Sequence, residues 1–211
     1  MRVLIYSDVH GNLPAFEKMI TVENGVDQYI CLGDLVNYGP WSNECVDLAI
    51  SLPNSIILQG NHELAFLNGR YPGINPLVGL FFEKCISTFH RYREIGGFLL
   101  SYNLGKYLCI HTIDDLYIYP NTEIELQNNF LIGHTHCQFK NNSNGFELFN
   151  TGSVGQNRMY INEINYLIYD TEKYLIEMKS CLYQVDLLIS KMIDLKYPSE
   201  CIDYYKNKNR K

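Results

Sequence analysis

The chain has 211 residues, 46% hydrophobic and 19% charged, enough to bury one sizeable core, and its seven scattered cysteines contain no C-x-x-C pair that would suggest a disulfide framework or zinc knuckle. Its 17 basic and 23 acidic residues give a formal charge of −6, which excludes a global positive field for a nucleic-acid duplex or a polyphosphate chain. No run approaches the roughly 18 uncharged apolar residues of a membrane span, and the first apolar run is too short for a signal segment, so a soluble cytoplasmic protein with reduced thiols is expected.

Short apolar runs rich in β-branched and aromatic residues, each followed at once by a polar turn, predict buried strands at 3–6, 29–32, 56–59, 107–110 and 130–132. Helical patterns lie between them. One covers 13–22, with Asn12 as N-cap and Pro14 in its first turn. A second covers 42–52, capped by Ser42, and a third is predicted over 76–91. Strands alternating with helices indicate an α/β domain. After about residue 137 the pattern becomes strand-like runs at 146–149, 166–169 and 175–179, read as a second, more antiparallel sheet. A final helix is expected over 185–195 and a frayed tail over 206–211. No repeat or linker divides the chain, so residues 1–211 are expected to form one layered domain.

The chemistry-bearing residues cluster just beyond the predicted strands. Asp8-Val9-His10 follows the first, and in an extended segment residues two apart project to the same side. Gly33-Asp34 follows the second, at the carboxyl edge where open α/β sheets bind ligands. Asn61 and His62 follow the third, His111 the fourth, and His134-Thr135-His136 the fifth. Each alone fits an ordinary turn. Together, five of the six histidines sit directly after strands, and only His90, within the predicted helix 76–91, does not. Four imidazoles, two carboxylates and an amide oxygen form a mixed nitrogen and oxygen donor set. Such a set suits Mn, Fe, Zn, Co or Ni better than Ca, or than Mg alone. Seven donors exceed one tetrahedral site, so two ions sharing a carboxylate are the economical reading.

The blocks D-V-H-G-N (8–12), G-D-L-V (33–36), G-N-H-E (60–63), His111 and G-H-T-H (133–136), in this order across roughly residues 1–155, resemble the calcineurin-like metallophosphoesterase superfamily. Within it the chain is most similar to the compact prokaryotic phosphodiesterase-like branch, through Asn37-Tyr38-Gly39-Pro40 and the segment Asn150 to Gln156, N-T-G-S-V-G-Q. The resemblance implies a four-layer αββα sandwich of two mixed sheets with the metal site at the carboxyl ends of the strands. It further implies that Asp8, His10 and His136 hold one divalent ion, Mn first among candidates, that Asn61, His111 and His134 hold a second, and that Asp34 bridges them. For His62, the histidine of the G-N-H block, the resemblance implies a role in assisting the leaving group during in-line attack by a metal-bridging hydroxide. His111 departs from the pattern, being followed by Thr112 where many relatives carry glycine, so the surroundings of the second metal are expected to differ.

Relatives acting on phosphoproteins or dinucleoside polyphosphates often continue the second block as G-D-x-x-D-R-G, with an arginine that grips phosphate. Here the continuation is Val36-Asn37-Tyr38-Gly39, which shifts the expectation to small phosphodiesters or phosphomonoesters, nucleotide-like ones included, with a Ser/Thr-type protein phosphatase or a dinucleoside polyphosphate hydrolase as the alternative. Tyr38 and Arg158 are candidate substrate contacts. Tyr71, Pro72, Phe81, Phe82 and His90 form either a pocket wall or a plain core helix, and Asp114 and Asp115 read as surface acids. The expected partner is a small phosphate ester, with no membrane and no long nucleic acid; a homo-oligomer stays open. The rival reading is a non-catalytic scaffold of the same fold, which would be expected to have lost His62 and metal ligands.

Overall fold

The structure, a computed structural model, describes residues 1–211. The first strand, β1 (Arg2–Tyr6), shows how the layers arise. Its side chains alternate between two buried faces, with Val3 and Ile5 in one apolar layer and Leu4 and Tyr6 in another. A strand buried on both faces lies inside a stack.

The first sheet has the order β10-β9-β1-β2-β3, formed by β1, β2 (Gln28–Cys31), β3 (Ser55–Ile57), β9 (Glu163–Asp170) and β10 (Leu175–Leu182). β1, β2 and β3 run parallel, while β9 and β10 are antiparallel additions. The second sheet has the order β4-β5-β6-β8-β7, formed by β4 (Tyr102–Leu104), β5 (Tyr107–Cys109), β6 (Asn129–Ile132), β7 (Gln138–Ser143) and β8 (Phe146–Thr151). Its centre is parallel and its two edges antiparallel. Val3, Ile5, Ile30, Leu32 and Leu167 of the first sheet pack against Leu104, Tyr107, Cys109, Leu131 and Phe149 of the second.

On the opposite face of the first sheet, the largest apolar cluster joins Leu4, Tyr6 and Cys31 to the helices. These include α1 (Leu13–Val22), α2 (Ser42–Ser51), α3 (Asn61–Leu67), α4 (Pro76–Ile86), α6 (Val185–Asp194) and α7 (Ser199–Lys206), with a short α5 (Tyr92–Ile95) beside α3. The outer face of the second sheet is packed by Ile118 and Leu126 from the connection between β5 and β6, against Ile132, Phe139 and Leu148. The α/β architecture of two mixed sheets flanked by helices therefore agrees with expectation. No helix is long and apolar enough to cross a membrane.

Asn12 caps α1 as expected, its Oδ1 accepting from the Ala15 N–H. Five expectations need correction. β9 and β10 do not join the second sheet; β9 pairs antiparallel with β1 and so extends the first. Ser42 is not the cap of α2 but its first residue, its Oγ accepting from the Asn37 N–H while Trp41 takes the cap position. The third helix stops at Ile86, leaving exposed His90 in a connection held by its Nδ1 contact to the Thr88 carbonyl. The tail is not frayed. Arg210 makes two hydrogen bonds to Asp186, Lys211 pairs with Glu163, and the Asn209 carbonyl accepts from the Ile161 N–H. Finally, α3, α5, α7, β4 and β7 lie outside the expected elements, because their short spans do not register as periodic patterns.

Candidate active site

The carboxyl ends of the parallel strands of both sheets converge on one edge. β1 delivers Asp8 and His10, β2 Asp34, β3 Asn61 and His62, β5 His111, and β6 His134 and His136. The turns stay zipped beyond the strands. Asp8 N–H donates to Gly33 O at 3.0 Å, His10 N–H to Asp34 O at 3.0 Å and Gly133 N–H to His111 O at 3.0 Å.

Asp8 and His10 do not converge through an extended segment, as their spacing suggested. Both are left-handed, at φ 57° and 51°, as are Asp34, His134 and His136 at 59°, 70° and 58°. Each such backbone costs on the order of 1 kcal/mol for a residue with a Cβ, so the surrounding packing must hold it. Close approach makes this possible at Gly33 and Gly60. A Cβ on Gly33 would sit 2.6 Å from Gly60 N, and one on Gly60 would collide with Asp34 Oδ1.

The donors face each other in overlapping groups. Asp8, His10 and His136 bring their ligand atoms within 4.8 Å of one another, as do Asp34, His111 and His134, and also His10, Asp34 and His62. His136 Nε2 lies 3.1 Å from Asp8 Oδ1 and 3.1 Å from His10 Nε2. Asn61 Oδ1 lies 3.0 Å from His111 Nε2 and 2.9 Å from His134 Nδ1. Asp34 Oδ2 lies 3.3 Å from His111 Nε2 and 3.9 Å from His10 Nε2, while its Oδ1 accepts the His62 N–H. One carboxylate oxygen thus faces both ends of the site.

The opposite ring nitrogens fix the tautomers. The Nδ1 atoms of His10, His111 and His136 meet the backbone carbonyls of Val36, Leu32 and Gln156 at 3.1, 2.8 and 3.0 Å. A carbonyl only accepts, so each Nδ1 carries the proton and, in a neutral ring, Nε2 presents a lone pair to the centre. Asp8 Oδ1 is buried there without a hydrogen-bond partner. Converging lone pairs around an orphaned carboxylate oxygen repel one another unless a cation lies among them, so this donor set fits divalent metal ions.

The electrostatics agree. Burial would raise Asp34, but the His111 and His62 rings outweigh it and hold the carboxyl well below its usual range. Burial likewise opposes, and the His136 and His10 rings overcome, in lowering Asp8. Burial pulls His111 down, yet the Asp34 carboxylate lifts it to about 10; a proton there balances the charge that a metal cation would balance equally well. Burial keeps His62 and His136 down at about 3 and about 4, and lowers His134, all three favouring neutral rings.

Two cavities open at the site. One of about 460 Å³ is lined by Asp34, Tyr38, Asn61, His62, His134, His136 and Arg158 among others, so both candidate substrate contacts border the donors. Tyr38 is only 5% exposed and packs edge-on to His10, with ring centroids 4.7 Å apart. Tyr71 and Pro72 belong to this wall, whereas Phe81 and Phe82 are core residues and His90 is remote from it. Asp114 is a surface acid, as is Asp115, although the latter also borders the second cavity.

Three positioning residues escape a reading by residue type. Glu63 is fully buried and accepts four backbone N–H groups, from Asp34 (2.8 Å), Leu35 (2.7 Å), Val36 (3.2 Å) and Gly60 (2.8 Å). It ties the β2 turn to the start of α3. Its one legible signal is an acid three residues after a turn glycine, the pattern of a side chain reaching back to a helix start. Asn37 holds His62, its Nδ2 lying 2.9 Å from His62 Nδ1. Gln156 supports His136 and is itself gripped by Tyr204 and Tyr205 of α7.

Residues 1–168 match the family model described as calcineurin-like phosphoesterase. The chain belongs to that family. It is accordingly a hydrolase of phosphoric esters, of a kind that uses divalent metal ions. The chain is 26% identical to an uncharacterized protein of Methanocaldococcus jannaschii, over 93% of each chain. Its fold is similar to the crystal structure of a metallophosphoesterase from Sphaerobacter thermophilus, with TM-score 0.80, 24% identity and 98% of each chain covered. It is also similar to that of a hypothetical protein from Pyrococcus horikoshii, with TM-score 0.78, 15% identity and 97% of each chain covered.

Proposed function

We propose that this phosphoesterase hydrolyses small phosphodiesters or phosphomonoesters, nucleotide-like ones among them, with two divalent metal ions, Mn foremost, held in a single domain spanning residues 1–211. Asp8, His10 and His136 would hold one ion, Asn61, His111 and His134 the other, and Asp34 both. The observation that carries this reading is Asp34 Oδ2, which faces His111 at 3.3 Å and His10 at 3.9 Å from between the two groups of donors. When bound, such ions polarise a phosphoryl oxygen and lower the pKa of water towards neutrality.

The other roles belong to the chain. His62 borders the cavity and is the only imidazole there left without a role as ligand; with Nδ1 accepting from Asn37, its Nε2–H is the donor available to a departing oxygen. Arg158 forms no ion pair, whereas Arg2, Arg91 and Arg210 do, so its guanidinium is free to pair with a phosphate oxygen. The Tyr38 ring forms part of the cavity wall, packed between His10 and Phe81. All seven thiols are free, in keeping with work in the cytoplasm. The formal charge of −6 argues against a long nucleic acid as substrate.

The test is hydrolysis of p-nitrophenyl phosphate and bis-p-nitrophenyl phosphate by purified protein with Mn, abolished by chelation and restored by the metal. Absence of turnover with every divalent metal, while metal binding persists, would refute the enzymatic reading and leave a metal-binding scaffold.

A further inference from the structure

The second cavity at the site, of about 530 Å³, is bordered by Asn61, His111 and His134 but not by His62. It shares Asn61, Pro72, Tyr117 and His134 with the first, so the two are lobes of one cleft that meet over the candidate ligands. Their linings differ. His62, Tyr38 and Arg158 border only the first lobe, whereas the second is bordered by Leu64, Leu100, Arg70 and Asp115.

The second lobe is exposed where it would meet a ligand. Leu64, Leu100 and Tyr117 are 50%, 76% and 59% exposed and line this lobe together, so it presents open apolar surface. Tyr117 packs one side against His134 with ring centroids 4.2 Å apart, which fixes the ring at the mouth of the lobe. Arg70, like Arg158, takes part in none of the ion pairs that occupy Arg2, Arg91 and Arg210. Each lobe therefore holds one arginine free of carboxylate partners.

A phosphomonoester has one organic substituent and would leave one lobe without a ligand. A diester has two, diverging from phosphorus. The geometry points to a phosphodiester substrate whose leaving alcohol lies in the His62 lobe and whose retained substituent, a nucleoside-like group, lies in the lobe of Arg70, Leu100 and Tyr117. An aromatic ring and aliphatic side chains suit a planar base, while Arg70 and Asp115 suit its polar edge and sugar hydroxyls. Asp115 also disfavours a second phosphate in that lobe. This inference rests on the hydrolase reading above and adds the class of ester and the residues that select it.

Two substrates with the same leaving group isolate the second lobe: p-nitrophenyl phosphate and the p-nitrophenyl ester of thymidine 5′-monophosphate. With Mn-loaded protein, kcat/KM for the thymidine diester should exceed that for the monoester at least about tenfold, as loss of one base contact is commonly worth roughly five- to hundredfold. Arg70→Ala and Tyr117→Ala should each lower kcat/KM for the diester, mainly through KM, at least about fivefold more than for the monoester. Arg70→Gln, which removes the charge but keeps a polar, unbranched stem, guards against a folding artefact, as does an unchanged melting temperature. Equal losses on the two esters, or a wild-type preference for the monoester, would overturn the proposal. Should neither ester turn over, the hydrolase reading falls, and calorimetric titration still decides the cleft. Tighter binding of the diester than of the monoester, weakened by Arg70→Ala, would support the subsite; equal binding would overturn it.

Discussion

Glu63 offers the sharpest test of how the site is held together. Its carboxylate is buried and receives Leu35 and Val36 N–H on Oε1 and Asp34 and Gly60 N–H on Oε2. Glu63→Gln keeps the shape but replaces one oxygen with an NH2 group, which has hydrogens where two backbone donors need an acceptor. Two buried N–H groups left unpaired cost about 1–3 kcal/mol each, so the variant should lose about 3 kcal/mol or more. For a domain of this size 1 kcal/mol corresponds to roughly 2–4 °C in melting temperature, giving an expected drop of about 6–12 °C. Because the freed donors belong to the β2 turn and to Gly60, metal content and turnover should fall with stability. The measurement is a thermal melt by circular dichroism alongside metal analysis of the same samples. A melting temperature within about 2 °C of wild type, with full metal loading, would refute the argument that Glu63 ties the two turns together.

Replacing the candidate leaving-group donor, His62→Ala, should keep metal content yet lower kcat by at least about two decades, and unchanged turnover would remove His62 from the chemistry. Asp34→Asn should reduce the loading of both metal sites together, which elemental analysis reads directly; loss from one site alone would contradict a shared ligand. Gly60→Ala introduces a Cβ into the Asp34 carboxylate and should lower both metal content and melting temperature, although the substitution itself is chemically mild. On the second sheet, hydrogen bonds from Lys106 and Lys140, with a further one from Tyr107, hold Glu147 down at about 2, below the ordinary value of about 4.3. The folded state therefore favours the ionised form, and its contribution is present above about pH 4.3 and lost as pH falls towards about 2. Glu147→Gln should thus melt lower than wild type at pH 6, with the gap closing across that window in melts at stepped pH; a gap independent of pH would exclude the ionic explanation.

The legible part of the fold was its parallel heart. β1, β2, β5 and β6 are short, doubly buried or nearly so, and bounded by polar turns, so their apolar runs stand out in the chain. The pairing of β9 with β1 was not legible, because a buried antiparallel strand such as Glu163–Asp170 reads alike whichever sheet receives it. The short α3 was hidden for a different reason. Its first residues, Asn61 and His62, are chemistry-bearing, and Leu64 and Leu67 are exposed, so no amphipathic stripe announces a helix.

At the site, the chemical types were legible and the way they are aimed was not. Imidazole, carboxylate and amide donors identify themselves by residue name, but their convergence depends on five left-handed backbones at positions other than glycine, which no periodicity encodes. Those backbones persist because their neighbours over-determine them, through residues that carry no chemistry of their own. Glu63 grips the turn that bears Asp34. Asn150 Nδ2 donates to Gly133 O at 2.7 Å just ahead of His134, and Ser153 Oγ donates to Asp8 O at 2.7 Å. Gln156, tied to Tyr204 and Tyr205 near the end of the chain, offers its carbonyl to His136. The segment Asn150 to Gln156 is therefore a brace. It couples both sheets and α7 to Asp8, His134 and His136, and the site's geometry depends on packing contributed by nearly the whole length of the chain.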